Sequence, residues 1–292
     1  MDGVTRRVLA SAVLLLAACS SSHLVPATPA SSPSSSMHSA RRAVPQFAHI
    51  VVVVEENRSY AEVIGNPGAP FINELARRGV LLADSFGVAH PSEPNYLALF
   101  AGSTHGLTDD SCPHTYGGAN LAAELHAHGK SFAGYAEGLP HSGYLGCTAG
   151  EYARKHAPWT DFAGLPASAG RPLSAFPSDY AALPTVSFVV PDLADDMHDG
   201  TVADGDRWLR AHLGGYASWA PLHDSLLIIT WDEDDLSAGN HIPGLLVGAH
   251  VRRGTLRSRL DHYTVLRTIE ASCGLPALGI AGRRAPIRGI WS

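Results

Sequence analysis

Apolar residues fall in short blocks along this chain, and the blocks differ in period. Ile50-Val51-Val52-Val53-Val54, Val186-Ser187-Phe188-Val189-Val190 and Leu226-Leu227-Ile228-Ile229 are nearly unbroken. Runs of that length without alternation suit parallel strands covered on both faces. Residues 70–78, 121–128, 206–213 and 262–271 carry helical patterns instead, and Gly79 closes the first of them. Residues 80–85, 130–135 and 245–248 add further strands. Repeated strand–loop–helix alternation predicts an α/β fold, with a mostly parallel central sheet and helices on both faces.

The three longest runs all end in polar loops. Glu55-Glu56-Asn57-Arg58 follows the first, Pro191 to Gly200 the second, and Asp232-Glu233-Asp234-Asp235 the third. Parallel connectivity would open all three on one edge of the sheet, where α/β folds gather their ligands.

The ends of the chain read differently. Residues 1–19 have the pattern of an export signal, with Arg6-Arg7 ahead of the apolar run Val8 to Ala18. That run is too short to span a bilayer. Leu16-Ala17-Ala18-Cys19 resembles a bacterial lipobox, which would make Cys19 the lipidated first residue of the mature chain. Residues 20–45 form a Ser/Pro tether too poor in apolar residues to fold. The folded domain is expected over 46–292. The protein is expected to be exported and lipid-anchored on the outer face of the cell membrane, or secreted. Its contact with the membrane would be through the anchor alone.

Bulk composition narrows the partners. The 292 residues are 45% hydrophobic and 16% charged, with a formal net charge of -6 and only 21 Lys plus Arg. No basic cluster exceeds a pair, which argues against nucleic acid. Export makes a Cys112–Cys147 disulfide the expected pairing, with Cys273 left as a buried free thiol.

Candidate chemistry centres on His90-Pro91-Ser92-Glu93-Pro94-Asn95-Tyr96, which reads as a loop entering a helix with Ser92 as N-cap and Pro94 in the first turn. Such a position offers unpaired N–H groups and the positive end of the helix dipole to an anion. Glu56, Asn57, Asp232 and Glu233 supply oxygen ligands for a hard divalent cation. His90, His156, His198 and His241 are possible donors to phosphate oxygens. Lys155 beside His156 suits an anionic substrate.

These segments resemble a bacterial phosphoesterase family of acid phosphatases and phospholipases C, a branch of the alkaline phosphatase superfamily. The resemblance rests on Val53-Val54-Glu55-Glu56-Asn57-Arg58-Ser59-Tyr60, the Ser92 segment, Tyr152-Ala153-Arg154-Lys155-His156-Ala157-Pro158, Asp196-Met197-His198-Asp199-Gly200 and Thr230-Trp231-Asp232-Glu233. It covers about residues 47–280. It implies an alkaline-phosphatase-like core and one divalent metal ion, of undetermined identity, held by Glu56, Asn57, Ser92, Asp232 and Glu233. Glu55 stands where the family usually has an apolar residue. Ser92 matches the nucleophile, and His198 is the expected proton donor to the leaving alcohol. His90, Lys155, His156, Asp199 and His241 are expected to hold the substrate. Asp196, His198 and His241 leave a second metal site open.

The implied activity is hydrolysis of small phosphate monoesters through a phosphoserine intermediate. Phospholipase C-type action on diesters is the alternative within enzymes, although phospholipase-like members tend to carry Thr where this chain has Ser92. A lipid-anchored binding scaffold without activity is the alternative outside them. The oligomeric state is left open.

Overall fold

The structure is a computed structural model that describes residues 43–292. The expected export signal, Cys19 and nearly all of the tether lie outside the described residues.

The first half of the fold runs β1 (His49–Glu55), α1 (Tyr60–Val63), α2 (Pro70–Arg78), β2 (Val80–Leu82), β3 (Ser85–Phe86), α3 (Glu93–Ala101), α4 (Leu121–Ala127) and β4 (Phe132–Ala136). It continues through β5 (Thr148–Ala149), β6 (Tyr152–Ala153), β7 (Gly170–Pro172), β8 (Val186–Val190), α5 (Val202–Trp219) and β9 (Ser225–Trp231). The last elements are β10 (His241–Ile242), β11 (Gly244–Gly248), β12 (Gly254–Leu256), β13 (Leu260–Asp261) and α6 (His262–Cys273).

Eight strands form the main sheet in the order β12-β2-β11-β9-β1-β8-β4-β7. The five strands from β9 to β7 are mutually parallel, and β11 is antiparallel to both of its neighbours. The central strand β1 shows why the sheet must be covered twice. Ile50, Val52 and Val54 enter one apolar layer with α3, α4 and α6, while Val51 and Val53 enter a second with α2 and α5. The α/β fold read from the unbroken runs is the fold observed.

Two elements differ from their sequence patterns. Residues 80–85 do not make one strand, because the chain turns at Ala83-Asp84. Ala83 N–H donates to Leu256 and the Asp84 carbonyl accepts from Leu260, so Ser85-Phe86 joins a separate sheet, β10-β3-β13. The helix expected over 206–213 runs from Val202 to Trp219. Thr201 and Asp204 form a capping box that starts it earlier. Gly214-Gly215 does not stop it, and a Cβ on Gly215 would lie 2.3 Å from the Tyr180 hydroxyl, so this glycine serves packing.

Cys112 and Cys147 form a disulfide, and Cys273 is buried and free. No helix among the described residues is long and apolar enough to cross a membrane.

Candidate active site

The carboxyl end of β1 sends two adjacent glutamates to opposite faces of the sheet. Glu56 continues the parity of Val52 and Val54 and points towards α3, while Glu55 points towards α5. Asn57 follows with φ +54°, a left-handed conformation that Asn tolerates better than most residues. This turn directs its N–H to Asp232 Oδ1 at 3.2 Å, tying the end of β1 to the end of β9.

Ser92 reaches the same point from the N-cap position of α3, but its side chain does not cap the helix. Its backbone is already helical (φ -58°, ψ -56°) and its hydroxyl makes no capping bond. The Glu93 N–H, first in the helix, donates instead to Asp110 Oδ1 at 2.9 Å. Ser92 Oγ is thereby free to face two carboxylates, 3.1 Å from Glu56 Oε2 and 3.2 Å from Glu233 Oε1. The loop before it is pinned from within and without. Asn95 Oδ1 accepts from the N–H groups of Val88 and Ala89, and Asn240 Nδ2 donates to the Ala89 carbonyl.

Around Ser92 the buried charges are layered. Glu56 is fully buried, and its Oε1 accepts from Tyr96 Oη at 2.7 Å and lies 2.9 Å from His156 Nε2. His156 Nδ1 is 3.2 Å from Asp196 Oδ2, and its ring stacks on Tyr96. Burial alone would raise Glu56, but the charge and hydrogen bond of His156, with Lys155 and Tyr96, bring it down to about 2. Burial opposes charge on His156 as well, yet Glu56 and Asp196 hold it up at about 9. Asp232 and Glu233 behave oppositely. Burial, then the charges of Glu56 and Glu233, push Asp232 well above the usual range. Burial and Glu56 bring Glu233 up to about 8.

Metal-binding capacity follows from that crowding. Glu56, Asp232 and Glu233 bring one oxygen each within 4.8 Å of one another, and Asp232 Oδ2 is buried with no hydrogen-bond partner. Carboxylates so placed hold extra protons unless a cation replaces them. An all-oxygen set with a serine hydroxyl at its edge fits a hard divalent ion. Glu56, His156 and Asp196 form a second such group sharing Glu56. The acidic groups could therefore bind metal.

A cleft of about 380 Å³ opens above Ser92, with Asn57, Arg58, His90, Lys155 and His198 among its walls. His90 lies across the acidic pair, Nδ1 2.5 Å from Glu233 Oε2 and Nε2 3.2 Å from Asp234 Oδ1. Lys155 Nζ is 2.9 Å from Asp110 Oδ2. His198 stands on the far wall, with Asp199 Oδ1 2.8 Å from its Nδ1. The intervening Met197 has φ +80°, which turns Asp196 towards His156 and leaves His198 in the cleft. His241 is placed elsewhere. Its ring lies between Tyr60 and Phe86, and its Nε2 is 3.1 Å from the Ala83 carbonyl.

The structure also brings in residues that the sequence reading gave no role. Tyr96 lies one helical turn beyond Ser92, so the i, i+4 spacing carried a usable signal. Asp110 serves both α3 and Lys155 from a loop 17 residues away, and no local pattern marks it. His262 is buried, with Nε2 2.6 Å from the Asp232 carbonyl, and supports that loop from α6.

A mostly parallel sheet whose strand ends gather a serine, carboxylates and histidines around one cleft defines a phosphate-ester hydrolase of the alkaline phosphatase fold. Residues 66–276 match the model of the phosphoesterase family, and the chain belongs to that family. It is 54% identical over 256 residues to a phosphatidylinositol-3-phosphatase of Mycobacterium tuberculosis, covering 86% of this chain and 85% of the relative. It is 30% identical over 233 residues to a phosphate-repressible acid phosphatase of Penicillium chrysogenum, covering 71% of this chain. This chain spans 55% of that fungal relative's length. Among solved structures, the lipoteichoic acid synthase LtaP of Listeria monocytogenes matches with a TM-score of 0.59 at 11% identity, covering 86% of this chain and 78% of that one. An alkaline phosphatase superfamily protein of Vibrio parahaemolyticus matches at 0.55 and 13% identity, covering 85% and 72%. These last two likenesses are of fold. The protein is a hydrolase of phosphate esters, and its substrates are small phosphate-ester groups.

Proposed function

We propose that the protein is a metal-dependent phosphomonoesterase that works through a phosphoserine intermediate on Ser92. The observation that carries this reading is the Ser92 hydroxyl set 3.1 and 3.2 Å from Glu56 and Glu233, beside the orphaned Asp232 oxygen. Glu56, Asn57, Asp232 and Glu233 would hold the cation together with Ser92. When bound, the cation would lower the pKa of the Ser92 hydroxyl and neutralise a nonbridging phosphate oxygen.

Ser92 then attacks phosphorus in line, and the alcohol leaves on the opposite side, giving phosphoserine. Lys155, Arg58 and His90 line the cleft and offset the charge on the transferring group. His198 donates the proton to the leaving oxygen, and Asp199 at its Nδ1 fixes the orientation of the ring. Water releases phosphate in the second step, with His198 as base. His241 supports the loop from outside this group.

Lipid headgroups that bear a monoester fall within this reading, since the mycobacterial relative is named for one. We further propose that the enzyme works outside the cell membrane, held by a lipid on Cys19 and a tether over residues 20–45. A disulfide between Cys112 and Cys147 is in keeping with an oxidising compartment.

The test compares hydrolysis of p-nitrophenyl phosphate, its bis-phosphodiester and p-nitrophenylphosphorylcholine, with and without chelator. Monoester turnover lost on chelation and restored by metal is expected. Preference for phosphorylcholine would replace this reading with the phospholipase one, and no turnover of any ester after metal is restored would leave only a binding scaffold.

A further inference from the structure

The last part of the chain reverses the charge of the whole. Residues 252–288 carry eight arginines against two acids, Asp261 and Glu270, in a protein of formal net charge -6. β12 is parallel to β2, and β2 and β9 are both antiparallel to β11, so β12 runs in the direction of β9. Its carboxyl end therefore delivers Arg257 and Arg259 to the same edge of the sheet as Glu56 and Asp232. Arg259 is fixed there by stacking. Its guanidinium carbon lies 3.5 Å from the centre of the Phe86 ring, and His241 and Tyr60 continue the stack towards the end of β1.

Two adjoining grooves share the walls Arg259, Leu260, Thr264 and Arg284. One, of about 450 Å³, is closed by Phe86 and Val88, and the other, of about 300 Å³, by Arg288. The 86–92 segment separates the first groove from the catalytic cleft, since its start lines the one and His90 to Ser92 line the other. Asp261 is the only acid in either lining, and Arg284 pairs with it. Arg257, Arg259 and Arg288 are exposed and have no carboxylate partner among the described residues.

We propose that this arginine face docks the enzyme on an anionic lipid bilayer, with lipid phosphates held between Arg259 and Arg288 and the catalytic cleft brought to the headgroups. A guanidinium fork donates to two phosphate oxygens at once, which suits it to that task. A protein of net negative charge needs such a face to approach an anionic surface at all. A bilayer fits better than a nucleic acid, because Arg259 and Arg284 lie over the two rings of the lining, Phe86 and Tyr263, where bases would stack. The contact is additional to a lipid on Cys19, and it rests on the reading that monoester-bearing lipid headgroups are among the substrates.

The experiment is co-sedimentation of the full chain, in a Cys19→Ser background so that no anchor contributes, with two kinds of vesicle. One is phosphatidylcholine alone and the other phosphatidylcholine with phosphatidylglycerol, neither of which carries a monoester. Binding to the anionic vesicles should be stronger by at least about tenfold and should weaken with added salt. Arg259→Gln with Arg288→Gln should weaken it by about fivefold per arginine removed. Arg77→Gln with Arg207→Gln makes the same charge change on the opposite face of the sheet and should leave binding unaltered. If Arg259→Gln loses the wild-type circular dichroism, Arg257→Gln takes its place. Equal binding to both vesicles, or an equal loss in both pairs of variants, overturns the face. Displacement from the vesicles by duplex DNA overturns it too, and would assign the arginines to nucleic acid. Turnover of p-nitrophenyl phosphate should stay at the wild-type value in both pairs, so failure of docking and failure of the Ser92 chemistry are distinguishable.

Discussion

Tyr96 holds Glu56 on the side away from Ser92. Its hydroxyl is 2.7 Å from Glu56 Oε1, and its ring stacks on His156 with centroids 5.0 Å apart. Tyr96→Phe keeps the stack and removes only the bond. A hydrogen bond to a charged group is worth roughly 1.5–3 kcal/mol, so turnover should fall about tenfold or more while the fold is retained. Wild-type kinetics in this variant would show that Glu56 needs no support from Tyr96. At this scale the sequence was legible where chemistry sits directly after a strand. Glu56, Asn57, Asp232 and Glu233 were marked by the apolar runs before them, and Ser92 by its loop. It was silent on Asp110, whose two bonds join segments far apart in the chain. It placed Ser92 at the start of the helix, where it stands, and only the folded loop shows that its hydroxyl makes no capping bond and that Asp110 accepts from the first helical N–H instead.

Elements were legible where their own residues decide them. The β-branched run of β1 cannot be anything but a buried strand, and its neighbours β8 and β9 follow by the same reasoning. Residues 80–85 split because Leu256 and Leu260, far along the chain, claim the backbone on either side of the turn. Packing between elements gives two further tests. Gly134 on β4 lies under the Trp159 ring, and an added Cβ would come within 2.3 Å of it. Gly134→Ala should cost about 1–3 kcal/mol. For a domain of this size that lowers the melting temperature by about 2–4 °C per kcal/mol, read in a thermal melt. An unchanged melt would mean that the ring moves away freely. The disulfide closes a segment with a sequence separation of 35. Reduction should cost about 3–4 kcal/mol, and alkylating reagents should label Cys112 and Cys147 only after it. Labelling of both before reduction would contradict the bridge.

Across the whole molecule, buried acids set the response to pH. Burial, then Asp161 and Asp110, bring Glu93 up to about 8, and burial brings Glu270 up to about 7. Folded chains hold these protons more tightly than unfolded ones, so this contribution is full below about pH 4.5 and is lost as pH rises through 7 to 8. His156, held at about 9, acts in the same direction, its share being full below 6.5 and lost through 9. Glu56, held at about 2, works the other way and matters only as pH falls below 4.5. The melting temperature of chelated protein should therefore fall from pH 5 to pH 8. A rise over that interval would show that these carboxyls are ionised in the fold.

The most direct measurement is intact-protein and peptide mass spectrometry after acid quench of the enzyme turning over p-nitrophenyl phosphate. One phosphoryl group on Ser92 is predicted, present with metal, absent after chelation, and absent in Ser92→Ala, whose turnover should fall at least about a thousandfold. Full turnover by Ser92→Ala, or a phosphoryl group trapped on another residue, would contradict the account.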